Sequence, residues 1–265
     1  MGIIVSDDIV RVADAEITGN NWSTIYEKKF VMDHTNLFRS GRKLDNNTGE
    51  RLLKFDFGAA QSLAAIVLAY CNFDKIQIRG TDTDAEADPG WNNPEYDSGA
   101  LDLSEWGLIG RYNLYKTLTA FNYRYLDLYV PAGTSEVTTS ISVWQVGMVV
   151  PLETITELSQ SVTEYSRSAR LPFEEIQLTR TRKDMVYLAG EREFQALVDL
   201  DFGNRDTADE SELFTFNRML SPLVFYRNNS DDSEVMVCKK LTYYKGTVFA
   251  PGAVRGNLIQ LEENV

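Results

Sequence analysis

The stretch TDTDAEADPGWNNPEYDSG sets Asp82, Asp84, Glu86 and Asp88 at alternate positions. Several carboxylate oxygens from one turn are what a hard cation such as calcium takes up. The pattern then departs from a calcium loop. Ala87 stands at the sixth position, where glycine would make the sharp turn, and Asn93 stands where a bidentate glutamate would close the site. The stretch therefore reads as a solvated acidic loop kept extended by like-charge repulsion. Asp82, Asp84 and Glu86 are weak calcium candidates, and neither a metal nor another cofactor is expected. Trp91 and Tyr96 in the same loop are carbohydrate-binding candidates, because exposed aromatic rings suit the apolar faces of sugars and neighbouring Asn or Asp holds hydroxyls. Packing onto the edge of a sheet is the competing role for both rings.

Catalytic chemistry finds little to work with. The single histidine, His34, lies in VMDHTNLF, and no G-x-S-x-G elbow supplies a nucleophile for it. Neither a G-x-x-x-x-G-K-[ST] phosphate loop nor a G-x-G-x-x-G turn is present. A glycosidase needs two carboxylates at a fixed separation, but in so acidic a chain a pair can always be chosen. No catalytic residue is assigned, and the protein is expected not to be an enzyme. Cys71 and Cys238 sit in strand-like surroundings, AYCNF and VMVCKKL, and read as buried thiols. The opening MGIIVS fits the N-myristoylation pattern, but Asp7 and Asp8 stand where basic helpers would be wanted, so IIV reads as a short first strand. Asn21-Trp22-Ser23, Asn46-Asn47-Thr48 and Asn228-Asn229-Ser230 fit the glycosylation pattern and read as turns.

Composition bounds the partners. The chain has 265 residues, 43% of them hydrophobic, enough for one large or two ordinary folded domains. Its net charge of -13 repels nucleic-acid phosphates and the anionic inner leaflet of membranes. No apolar run approaches the roughly 18 residues of a membrane span, and no secretory signal opens the sequence. Neither nucleic-acid binding nor membrane insertion is expected.

The elements that must position the loop are mainly strands. LLKFDF alternates, with Leu53, Phe55 and Phe57 on one face and Lys54 and Asp56 on the other, until Gly58 breaks the run. LAAIVLAYC is a continuous apolar strand, and KIQIRG alternates again with Ile76 and Ile78 inward. YRYLDLYVP sets Tyr123, Tyr125 and Asp127 opposite Arg124, Leu126 and Leu128, and TTSISVWQVGMVV supplies another strand. Residues 1–150 are thus expected to form an antiparallel β-sandwich. Polar residues 151–175 read as a linker, and 176–265 as a second β domain. In that domain REFQALVDLDF is a long amphipathic strand, TADESELFTFNRMLSP one short helix with acidic residues in its first turn, and LVFYRN, VMVCKKLTYY and NLIQLEE further strands.

Asp56-Phe57-Gly58, Gly80-Thr81-Asp82 and Arg124-Tyr125-Leu126, in that order along alternating strands, resemble the pattern of discoidin or galactose-binding-like jelly rolls. The strand, acidic-capped helix and PLVFY strand of the last third resemble the belt domains of bacteriophage distal tail proteins. The second resemblance implies a non-enzymatic structural virion component, made in the host bacterial cytoplasm and built into the tail. It would form a homo-oligomeric ring at the baseplate that joins the tail tube to hub and tip proteins. The alternatives are a carbohydrate-binding module for host-surface glycans, or another virion position such as a tail adaptor or capsid decoration.

Overall fold

The computed structural model describes residues 2–5, 16–18, 21–25, 27–32, 41–83, 94–105, 112–135, 143–157, 164–170, 195–201, 204–206, 217, 223–228, 231–240, 242–250, 253–256 and 259–263. The chain is mainly β, and its ladders are antiparallel. It divides into two compact units, one of Met1–Ser159 with Pro222–Val237 and one of Gln160–Ser221 with Cys238–Val265.

In the first unit the strands are β1 (Gly2–Val5), β2 (Glu16–Thr18), β3 (Gly41–Arg42), β4 (Glu50–Cys71), β5 (Lys75–Thr81), β6 (Tyr96–Asp102), β7 (Ser104–Glu105), β8 (Tyr112–Val130), β9 (Gln145–Val146), β10 (Met148–Leu152) and β11 (Thr156–Glu157). The main sheet runs β10-β4-β8-β5-β6, with β2 on β4 and β7 on β8. Alternation explains its core. Leu53, Phe55, Ile76, Ile78, Leu126 and Leu128 are fully buried and belong to one apolar cluster with Phe73 and Trp144.

Two expectations change. Lys54, on the face opposite Leu53 and Phe55, and Asp127, on the face of Tyr123 and Tyr125, are also buried. Register explains how: Asp127 pairs across to Lys54 on β4 and to Arg79 on β5, so opposite charges meet in the ladder. The break read at Gly58 is a bulge inside a continuous strand. Asp56 pairs with Tyr125 and Gln61 with Tyr123, so residues 57–60 lie opposite Arg124 alone, and Gly58 supplies a φ of 76°.

Part of the stretch read as a linker, 151–175, is described as strand. Pro151 and Leu152 complete β10, Thr156 and Glu157 form β11, and β12 (Glu164–Arg170) follows. Strand ladders are made by backbone groups, so a polar sequence such as EYSRSAR pairs as readily as an apolar one.

The remaining strands are β13 (Gln195–Asp201), β14 (Asn204–Asp206), β15 (Leu223–Asn228), β16 (Asp231–Lys240), β17 (Gly246–Ala250), β18 (Ala253–Gly256) and β19 (Ile259–Glu263). In the first unit β15 pairs with β1, joining Leu223 to Val5 and Tyr226 to Gly2. In the second unit β13 lies between β12 and β19, and β14, β18 and β17 form a separate small sheet. Leu200 of β13 is fully buried, as the alternation of REFQALVDLDF requires. Of the expected helix at 207–222 only Asn217 is described, in helical conformation, and the rest lies outside the described residues. Its side chain exchanges two hydrogen bonds with the backbone of Tyr244, donating to the carbonyl at 2.8 Å and accepting from the N–H at 2.7 Å. Both cysteines are buried thiols, and burial pushes that of Cys71 well above its ordinary value.

Candidate functional site

The acidic loop leaves the sheet at the end of β5 and returns at the start of β6. Its two ends are tied together. Asp82 N–H donates to Glu95 Oε2 at 3.0 Å, Glu95 N–H donates to the Gly80 carbonyl at 3.1 Å, and Thr83 N–H donates to Thr81 Oγ1 at 3.2 Å. A third chain segment joins this base from β8, where Arg124 N–H donates to Asp82 Oδ1 at 2.9 Å.

Arg124 is held from the other side by β4. Its Nε and Nη2 each donate at 2.8 Å to the two oxygens of Asp56, a fork-to-fork pair with fixed orientation. Asp56 Oδ1 also accepts from Gly58 N–H at 2.8 Å, so the carboxylate props the bulge open. The hydrogen bonds from Arg124, with the Gly58 amide behind them, hold the Asp56 carboxyl below the ordinary range despite its partial burial. The pair is open to solvent, with side chains 41% and 20% exposed for Arg124 and Asp56. Around it lie the exposed residues Gly58, Ala59 and Ala60 of the bulge.

Aromatic rings support the same end. Tyr96 and Tyr123 each meet Phe121 edge-on at 5.3 Å between ring centres. Tyr123 Oη donates to the Glu95 carbonyl at 3.4 Å. Gly80 makes room for these rings, since a Cβ there would stand 2.6 Å from Phe121 and 2.8 Å from Tyr123. On β6, Asp97 accepts from Gln77 Nε2 at 2.5 Å and from Gly99 N–H at 2.8 Å, and Ser98 Oγ accepts from Ile78 N–H at 2.9 Å. Burial, with Asp97 beside it, pushes the Tyr96 hydroxyl above its ordinary value.

Of the sequence candidates, Tyr96 and Asp82 stand at this base. Tyr96 is half-buried against the core, and Asp82 spends one oxygen on the Arg124 backbone. Trp91, Asp84, Glu86 and Asp88 lie outside the described residues, as does His34. Among the described residues no group of three or more His, Cys, Asp or Glu gathers as a metal site. The site residues not named from sequence are Arg124, Asp56 and Tyr123. A signal for Asp56 and Arg124 was present, because the three short motifs Asp56-Phe57-Gly58, Gly80-Thr81-Asp82 and Arg124-Tyr125-Leu126 converge here through the bonds just described.

No protein-family model matches the chain, and no curated protein matches it by sequence. Among solved structures it is similar to CBM32-1 from a family 31 glycoside hydrolase of Clostridium perfringens, at 10% identity and a TM-score of 0.38, over 56% of this chain and 96% of that one. It is also similar to a truncated AlyQ with CBM32 and alginate lyase domains, at 15% identity and a TM-score of 0.36, over 67% of this chain and 38% of that one. A third likeness is to the lectin domain of Lectinolysin complexed with Lewis B antigen, at 11% identity and a TM-score of 0.31, over 57% of this chain and 99% of that one.

Proposed function

We propose that the chain is a non-catalytic binding protein that takes a saccharide at the loop end of its first unit. The observation that carries this reading is the tied loop base. Bonds from Asp82, Glu95 and Arg124 hold both described ends of the loop, so the groups at its base stand preorganised for a ligand that meets them. The loop carries Trp91, Asn92 and Asn93 in its sequence, which are groups suited to a sugar face and its hydroxyls. Beside it the partly exposed Asp56–Arg124 pair offers further oriented polar groups.

The tail-ring reading draws on residues 176–265, of which 176–194 and nearly all of 207–222 lie outside the described residues. The saccharide reading has a described base to stand on, and it is compatible with a place in a virion.

A glycan array probed with the purified chain tests it. Binding to one related set of glycans is expected, with Trp91→Ala and Arg124→Lys each weakening it at least tenfold. An array with no signal sinks the function. Binding that survives both substitutions moves it away from this loop.

A further inference from the structure

Lys43 is 1% exposed, an unusual position for a lysine, and lies beside the fully packed Trp144. Its ammonium contacts two carboxylates, Asp45 Oδ1 at 2.7 Å and Glu50 Oε1. All three residues are fixed by their backbones. Lys43 N–H donates to the Trp144 carbonyl at 2.9 Å, and Trp144 N–H donates to the Asp45 carbonyl at 3.1 Å. Glu50 opens β4 in register with Val130, and the Gly49 N–H before it donates to the Val130 carbonyl at 2.7 Å. A nucleophile and a carboxyl held in contact by a rigid frame have most of the entropy of reaction removed in advance.

We propose that Lys43 and Glu50 condense to an intramolecular isopeptide bond, with Asp45 as the group that moves the proton. The two carboxylates differ in a way that assigns these roles. Asp45 is hydrogen-bonded on its second oxygen by Asn21 Nδ2 at 2.7 Å. Burial works against its charge, but the bonds from Lys43 and Asn21 outweigh this and keep it an anion, which makes it a base and not an acceptor of attack. The Glu50 side chain is 39% exposed where that of Lys43 is 2% exposed, so its carboxyl has an open side into which a leaving water departs.

The ion pair already holds every atom of the product. One proton passes from Nζ to the Glu50 carboxyl, and the nitrogen lone pair then forms a bond to Cδ. Asp45 takes the second Nζ proton and returns it to the departing hydroxyl. The C–O bond breaks, one water leaves, and the third hydrogen stays as the amide N–H. Neither an oxidant nor a cofactor is needed. The product replaces a buried ammonium, which is costly to desolvate, by a neutral amide, and it closes the segment 43–50 covalently.

The mass of the full-length chain, measured denatured, tests the bond directly. The expected mass is one water below that of the sequence. Trypsin should leave residues 43–51 as one peptide, uncut after Lys43 and lighter by one water, with fragment ions placing the loss on the Lys43–Glu50 linkage. Lys43→Met and Glu50→Ala chains should run at their full masses, and Asp45→Ala should leave most of the chain unlinked. Full mass in the unsubstituted protein, with residues 44–51 released as a free peptide, overturns the proposal. So does a water loss mapped to any other pair of residues. Complete linkage in Asp45→Ala would overturn the role given to Asp45.

Discussion

Asp127 is 1% exposed, yet its carboxylate lies 2.7 Å from Arg51 Nε and sits in register between Lys54 and Arg79. The cations are themselves capped by rings, Lys54 over Tyr125 at 4.9 Å and Arg79 over Tyr129 at 3.9 Å. Burial pushes the Asp127 carboxyl up to about 6 from 3.8, and the attraction of Arg51, Lys54 and Arg79 offsets this only in part. The sign follows from linkage. A folded-state value raised above the unfolded one gives stability that is complete below pH 3.8 and is lost as the pH rises through about 6. Wild type compared with Asp127→Asn should therefore lose ground between pH 4 and pH 7, by up to about 3 kcal/mol. Urea denaturation of both chains across that range reads the effect, and parallel pH profiles would reject it. Sequence placed Asp127 in the right strand and on the right face. It did not show that the face is buried, because burial depends on which cations the register brings opposite, and register is a property of three strands at once.

At the scale of elements, the strands that alternate or run apolar were legible, and the irregularities that build the site were not. KIQIRG, LLKFDF and YRYLDLYV fall where their periodicity puts them. Gly58 was visible as an interruption, but a glycine that ends a strand and one that bulges it look alike until the partner is known. YDSGALD, which forms β6, and EYSRSAR, which forms β12, have too little apolar pattern to be read as strands, since their pairing is carried by backbone groups. Gly80 offers a test of how tightly β5 and β8 are fitted at the site. Its position faces Phe121 and Tyr123 at distances no real Cβ tolerates, so Gly80→Ala must displace at least one ring. A loss of about 1–3 kcal/mol is expected, together with a change in the near-ultraviolet circular dichroism of the tyrosines. A variant with unchanged stability and spectrum would show that the rings are not packed on this glycine.

At the scale of the whole molecule, the net charge of -13 and the mainly β pattern were readable from composition and periodicity. The return of a late segment to the first strand was not, because nothing in GIIV or LVFYRN names its partner. The described ladder partners of β2 through β10 all fall between Glu16 and Leu152, and the apolar cluster draws its members from Val31 to Val149. Among the described strands of β1 through β11, β1 alone pairs with a strand from later in the sequence, Ile3 with Phe225 and Ile4 with Val224, and β11 lies on its other side. Non-local pairing of this kind adds an edge strand to β1, outside the ladders that carry the described apolar cluster. A fragment of residues 1–159 should therefore fold and melt cooperatively. In hydrogen exchange, amides of β4 and β8 should remain protected as in the full chain, while β1, left with β11 alone, loses the part of its protection that β15 gives. If the fragment is unfolded under conditions that keep the full chain folded, the core depends on the later segment. If β1 stays as protected in it as in the full chain, its pairing with β11 is enough to hold it and β15 adds nothing to that strand.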